Sequence, residues 1–180
     1  MAELKAEPVD GYNGSPLVPT GDPMIDGVGP ASWAERSDTP DTTFHGAAKI
    51  IPMRSDATFH VAKGDPDPRG LPVVAADKVV AGTVVDIWVD RAEPQVRYYE
   101  VQLAAVDRRV MLPAGFVQWP NFGLWGNDKL LVKAITSAQF ANVPAIKSDT
   151  QITLLEEDKV MAYYAGGHLY ATADRSEPLL

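Results

Sequence analysis

Between residues 73 and 135 apolar and polar positions alternate over short segments, the two-residue period of strands that bury one face. In Val84-Val85-Asp86-Ile87-Trp88-Val89-Asp90 the alternation sets Val85, Ile87 and Val89 on one face, the expected core side, and Asp86, Trp88 and Asp90 on the other. A second strand over 97–103 turns Tyr99, Val101 and Leu103 inward and Tyr98, Glu100 and Gln102 outward, with 91–95 closing a hairpin. A third strand follows at 108–112. After a link through Phe116, Trp119 and Trp125, the turn Gly126-Asn127-Asp128 introduces another strand at 129–135, with Leu130 and Val132 expected to be buried. Closing these strands into a small barrel would remove the sheet edges.

The pattern changes on both sides of this region. Residues 1–72 carry ten of the prolines that define the chain's turns, among them Pro16, Pro19, Pro23, Pro30 and Pro72, so regular elements there must be short. Leu17, Met24, Ile25, Val28 and Trp33 are too many apolar residues for a solvated linker. The segment is therefore expected to be an extended arm, ordered by packing on the barrel or on a partner. Beyond the core at 73–145, the segment 146–180 contains a helix expected over about 153–165. Thr153-Leu154-Leu155-Glu156 opens it as a capping box, and Gly166-Gly167 is expected to stop it. A shorter turn at 137–142 ends before Pro144. The fold class is thus mainly β: a small barrel with an N-terminal arm and a short C-terminal helix.

Composition narrows function mostly by exclusion. A formal charge of -8 opposes wrapping a nucleic-acid backbone, whose affinity comes from clustered Lys and Arg. With no cysteine there is no thiol nucleophile, thiolate metal site or disulfide framework. No apolar run approaches the ~20 residues of a membrane-spanning helix, so the chain as given is expected to be soluble. Neither a nucleophile elbow nor a P-loop nor a dinucleotide-binding turn is present. The glycines from Gly21 to Gly29 are interrupted by Pro23 and followed by Pro30, which favours turns over a phosphate cradle.

The histidines His45, His60 and His168 lack metal-ligand spacing, and each reads more simply as a surface or packing residue than as a proton relay. Asp86, Asp90, Glu93 and Glu100, interleaved with Arg91 and Arg97, form the densest acidic group. As pattern alone they read as a solvated, ion-paired face, with acid and base chemistry as the alternative. The acids Glu156-Glu157-Asp158 are accounted for by the helix dipole. Trp88, sharing a face with two aspartates, is the tryptophan expected to meet another element or a partner.

Several runs are more particular than any pattern. Pro19-Thr20-Gly21-Asp22-Pro23-Met24 and Asp26-Gly27-Val28-Gly29-Pro30-Ala31-Ser32-Trp33 lead the series. Lys49-Ile50-Ile51-Pro52-Met53, Arg69-Gly70-Leu71-Pro72-Val73, the 84–90 strand, Ile152-Thr153-Leu154-Leu155-Glu156-Glu157-Asp158-Lys159 and Tyr164-Ala165-Gly166-Gly167 follow in order. Together they resemble the H subunit of purple-bacterial photosynthetic reaction centres, over about residues 17–171.

The resemblance implies a PRC-barrel and no enzymatic activity. It implies a place on the cytoplasmic face of the photosynthetic inner membrane, capping the L and M subunits and stabilising them. Bacteriochlorophyll, bacteriopheophytin, quinones and non-haem iron would belong to those partners, none to this chain. The family's single transmembrane helix is missing from the sequence, and membrane association is expected through partners and through that missing N-terminal helix. The resemblance also implies assistance in proton delivery to the secondary quinone, with Glu93, Asp90 and Arg97 at the matching positions and His45 near a proton-uptake point. Ala47 and Thr43 stand where some members carry a histidine and an acid, which weakens His45. A free-standing PRC-barrel adaptor binding a protein partner is the alternative, and the 21–33 block argues against it.

Overall fold

The computed structural model describes residues 4–120 and 128–176. Two strands, β1 (Ala6–Pro8) and β2 (Leu17–Pro19), pair antiparallel as a separate ribbon near the N-terminus. The remaining strands form one sheet: β3 (Ile50–Pro52), β4 (Pro72–Val74), β5 (Val80–Asp90), β6 (Gln95–Leu103), β7 (Arg109–Pro113), β8 (Val117–Gln118) and β9 (Leu130–Val132). Their order is β7-β6-β5-β4-β9-β8, with β3 also on β5, and only β4 and β9 run parallel. The two ends of that path, β7 and β8, are joined by a single 3-10 turn at Ala114–Phe116. The sheet therefore curls back on itself around Val73, Val84, Ile87, Val101, Leu112 and Leu130, all essentially inaccessible to solvent. Trp125, Gly126 and Asn127 lie outside the described residues.

The hairpin appears as expected, but simple alternation fails in β5 and β6. The register slips between Val84 and Asp86, leaving Val85 without a partner opposite it and exposed rather than in the core. Past that bulge both faces of the strand are buried, because the first face is barrel interior and the second is covered by chain from outside the hairpin. Asp86, Trp88 and Asp90 are thus interior residues and not a solvated face. Tyr98 and Glu100, expected outward on β6, are buried for the same reason. A second slip, between Trp88 and Val89, pairs Trp88 with Tyr98 and Val89 with Val96. Arg97 is the extra residue there, and a bulge re-aims the side chain it carries.

The stretch expected as an arm is built into the molecule. β3 adds to β5 through Ile50↔Asp90 and Ile51↔Val89. A short helix, α1 (Pro23–Asp26), is capped by Asp22, whose side chain accepts from the Met24 and Ile25 amides, and ends at Gly27 in the left-handed region. The glycines of this block therefore serve turns and close packing. A Cβ on Gly27 would lie 2.4 Å from the Trp33 ring.

The C-terminal helix, α2 (Leu154–Tyr170), starts with the expected capping box between Thr153 and Glu156. Its next free amides are taken by the arm. Leu154 N–H donates to the Thr39 carbonyl and Leu155 N–H to the Ser37 carbonyl, both at 3.1 Å. The helix does not stop at Gly166-Gly167 but continues to Tyr170. These glycines are notches for packing: a Cβ on Gly166 would sit 2.5 Å from Ala31 Cβ, and one on Gly167 2.4 Å from the Ala134 carbonyl oxygen.

Inside the same helix the Tyr164 hydroxyl is buried without a hydrogen-bond partner among the described residues, near Phe116 and Phe140. An unpaired buried hydroxyl contributes nothing that a phenylalanine would lose. Tyr164→Phe is expected to leave the unfolding free energy unchanged or raise it by up to about 1 kcal/mol. Urea denaturation that showed a clear loss would mean the hydroxyl is bonded.

Candidate proton-conducting edge

The β5–β6 hairpin, β3 and the start of α2 bring ionisable groups together at one end of the barrel. Asp90, the last residue of β5, is fully buried. Its Oδ1 accepts from the amides of Ala92 and Glu93, at 2.8 and 3.1 Å, which shapes the turn. Its Oδ2 has no hydrogen-bond partner among the described residues and lies 3.6 Å from both Lys49 Nζ and Arg97 Nη1. A buried carboxylate needs opposite charge nearby, and these two cations supply it. The Asp90 charge in turn holds the Lys49 ammonium above its ordinary value, aided by Asp41 at 3.5 Å.

Arg97 carries the arrangement on to α2. Its Nη2 is 3.7 Å from Glu157 Oε2, and the Tyr98 hydroxyl donates to the same oxygen at 2.9 Å. Burial pushes the Glu157 carboxyl up, against the opposing effects of Tyr98, Arg97 and Arg36. Burial and the Glu157 charge also push the Tyr98 phenol up. Asp41, Lys49, Asp90, Arg97, Glu157 and Tyr98 thus form a chain of alternating acid and base contacts. Such a chain can hold a proton at one end and compensate charge at the other.

The residues singled out by sequence do not all join it. Asp90 and Arg97 stand at its centre. Glu93 is exposed in the turn, where its amide is tied to Asp90 but its carboxylate makes no hydrogen bond or ion pair with a described residue. His45 is exposed on the 42–48 loop, edge-on to Phe44 with ring centroids 5.4 Å apart. His60 and His168 lie elsewhere, His60 on an apolar groove beside Phe59 and His168 stacked on Phe116. Sequence reasoning missed Lys49 and Glu157. The dipole explanation for the acids of α2 was sufficient for Glu156, which completes the capping box, but it hid the second partner of Glu157.

Asp86 and Glu100, expected on the same solvated face, belong to a separate buried cluster. Arg54 Nη1 donates to Asp86 Oδ2 at 2.8 Å and to Glu100 Oε2. Trp88 Nε1 donates to Glu100 Oε2 at 3.1 Å and Arg109 Nη1 to Oε1 at 3.0 Å. Burial would raise the Glu100 carboxyl, but these donors outweigh it and hold it below the usual carboxylate range. Trp88 thus meets another element of its own chain, through Glu100.

A curled sheet of this topology, with an arm strand paired to the far end of β5 and a helix packed on it, defines a class. Residues 60–139 match the PRC-barrel domain family. Residues 1–55 match the photosynthetic reaction centre H-chain N-terminal region. With both matches in this order, the chain belongs to the reaction-centre H-chain family, a structural subunit of a membrane-associated electron-transfer complex that assembles with other reaction-centre subunits. Among the described residues, no helix is long and apolar enough to cross a membrane.

Proposed function

We propose that this chain caps the L and M subunits on the cytoplasmic face of the photosynthetic membrane of a purple bacterium, stabilises them, and helps deliver protons to the secondary quinone. Bacteriochlorophyll, bacteriopheophytin, quinones and non-haem iron reside, in this reading, in the partner subunits. The observation that supports proton delivery is the buried Asp90 carboxylate, compensated by Lys49 and Arg97 and linked through Arg97 to a second buried acid, Glu157. A proton arriving at Asp90 weakens the hold on both cations, and Glu157, whose proton is held to higher pH than a solvated glutamate's, is the neighbouring group able to respond. Glu93 and His45, exposed at the surface, suit collection of protons from solvent rather than storage.

The test is reconstitution of the chain into reaction centres lacking the H subunit, with proton uptake followed after the second light flash. Asp90→Asn is expected to slow uptake by about tenfold or more, because it removes the central ionisable group. Glu93→Gln is expected to slow it less. An Asp90→Asn complex that assembles fully and takes up protons at the original rate would remove this edge from the path.

A further inference from the structure

Beside the proton-conducting edge, α2, β6 and the corner after β7 enclose a cleft of about 360 Å³. Its polar side is formed by Arg36, Arg97, Tyr98 and Glu157, and its apolar side includes Val96 and Met161, both well exposed. The two guanidiniums are only loosely engaged. Arg36 reaches Asp158 at 3.5 Å, and Arg97 reaches Asp90 and Glu157 at 3.6 and 3.7 Å, all beyond an ordinary N–H···O bond. Neither guanidinium donates a hydrogen bond to a described residue, so both present unused forks of donors to one space.

We propose that this cleft is a socket for a carboxylate on an apolar stem, an acidic side chain presented by another subunit of the complex. Planar guanidiniums match a carboxylate through paired N–H donors, and the Val96 and Met161 wall takes the methylenes. The acids around the arginines select among anions. Glu157 and Asp158 on α2 offset Arg36 and Arg97, and Asp90 behind Arg97 offsets Lys49 beyond it. The cleft therefore has no net positive field and would hold an anion by directed guanidinium donors alone, which suits a single carboxylate and disfavours a phosphate dianion. The choice of a reaction-centre subunit as the bearer rests on the proposed function, while the socket itself rests on the cleft.

Gly115 offers a way to block the cleft without touching its charges. It lines the space, and a Cβ there meets no atom within 4 Å. Gly115→Trp should therefore fill the socket while preserving the thermal midpoint. In the full chain, titration with N-acetylglutamic acid α-amide is expected to shift the Nε–Hε resonances of Arg36 and Arg97 saturably at millimolar concentration, and Gly115→Trp to abolish the shift. The same variant is expected to bind reaction centres lacking the H subunit about tenfold more weakly. Absence of a saturable shift, inorganic phosphate moving the same resonances at lower concentration, or unchanged binding by a folded Gly115→Trp chain would each overturn the socket. None of these outcomes bears on the flash-induced proton uptake of Asp90→Asn, so the two readings fail separately.

Discussion

Arg54→Met is expected to lower the unfolding free energy by about 3 kcal/mol at neutral pH, the scale of breaking a buried ion pair from one side. The arginine joins the 3-10 turn at Met53–Ser55 to β5, β6 and the Asp149 carbonyl, which its Nη2 meets at 2.6 Å. Removing it leaves the buried Asp86 with backbone amides alone, those of residue 54 and Ile87, and the buried Glu100 with Arg109 and Trp88 as its donors. That remaining help places the effect at the lower end of the range for such pairs. The pH dependence gives the mechanism away. In the native protein the folded Glu100 value is depressed, so its contribution is present above the unfolded value and lost as pH falls through the folded one. Without Arg54 burial acts with less opposition and the carboxyl rises. The difference between variant and native protein should therefore shrink as pH falls toward about 4, where a glutamate ordinarily titrates. Urea denaturation at pH 7 and at pH 4.5 measures both, and a difference independent of pH would assign the loss to packing instead.

Gly167→Ala is the second large effect, and its sign is the informative part. In an exposed helix interior the change would stabilise by about 1 kcal/mol, since alanine is the better helix former. Here the added methyl meets the Ala134 carbonyl oxygen at 2.4 Å and Ile135 Cγ2 at 2.5 Å, and backbone cannot yield as a side chain can. A loss of about 2 kcal/mol is expected, as for other insertions into a packed core. Thermal unfolding followed by circular dichroism checks it, and a gain in midpoint would mean that α2 is not seated against the 134–135 segment.

The Gly166-Gly167 pair shows where reading a sequence stops short. Two glycines about a dozen residues past a capping box are a sound stop signal when the chain is considered locally, and only the approach of Ala31 and Ala134 reveals them as notches. Strands, hairpin and capping box were legible because their signals are local: alternation, turn chemistry and the Thr153–Glu156 spacing. The burial of β5 was legible only in part: Ile87 and Val89 face the core as their alternation says, but the bulge turns Val85 out, and distant chain covers Asp86, Trp88 and Asp90 on the face that alternation leaves to solvent. The site was half legible for a related reason. Asp90 and Arg97 lie seven residues apart on one hairpin, whereas Lys49 and Glu157 come from distant chain and carried no local sign of their partners.

The strap that residues 37–39 lay across the first turn of α2 also sets an order of events during synthesis. The hydrogen bond from Thr153 Oγ1 to Asp38 Oδ1 spans a sequence separation of 115 residues. Until the ribosome has delivered the start of α2, the carbonyls of Ser37 and Thr39 have no amides to receive. Such long-range closure adds little to the entropic cost per residue but slows folding, because the ends must meet before either is rewarded. Residues 37–39, made well before α2, are thus among the last to be fixed, and a nascent chain halted before residue 154 would hold a formed hairpin with this strap still unanchored.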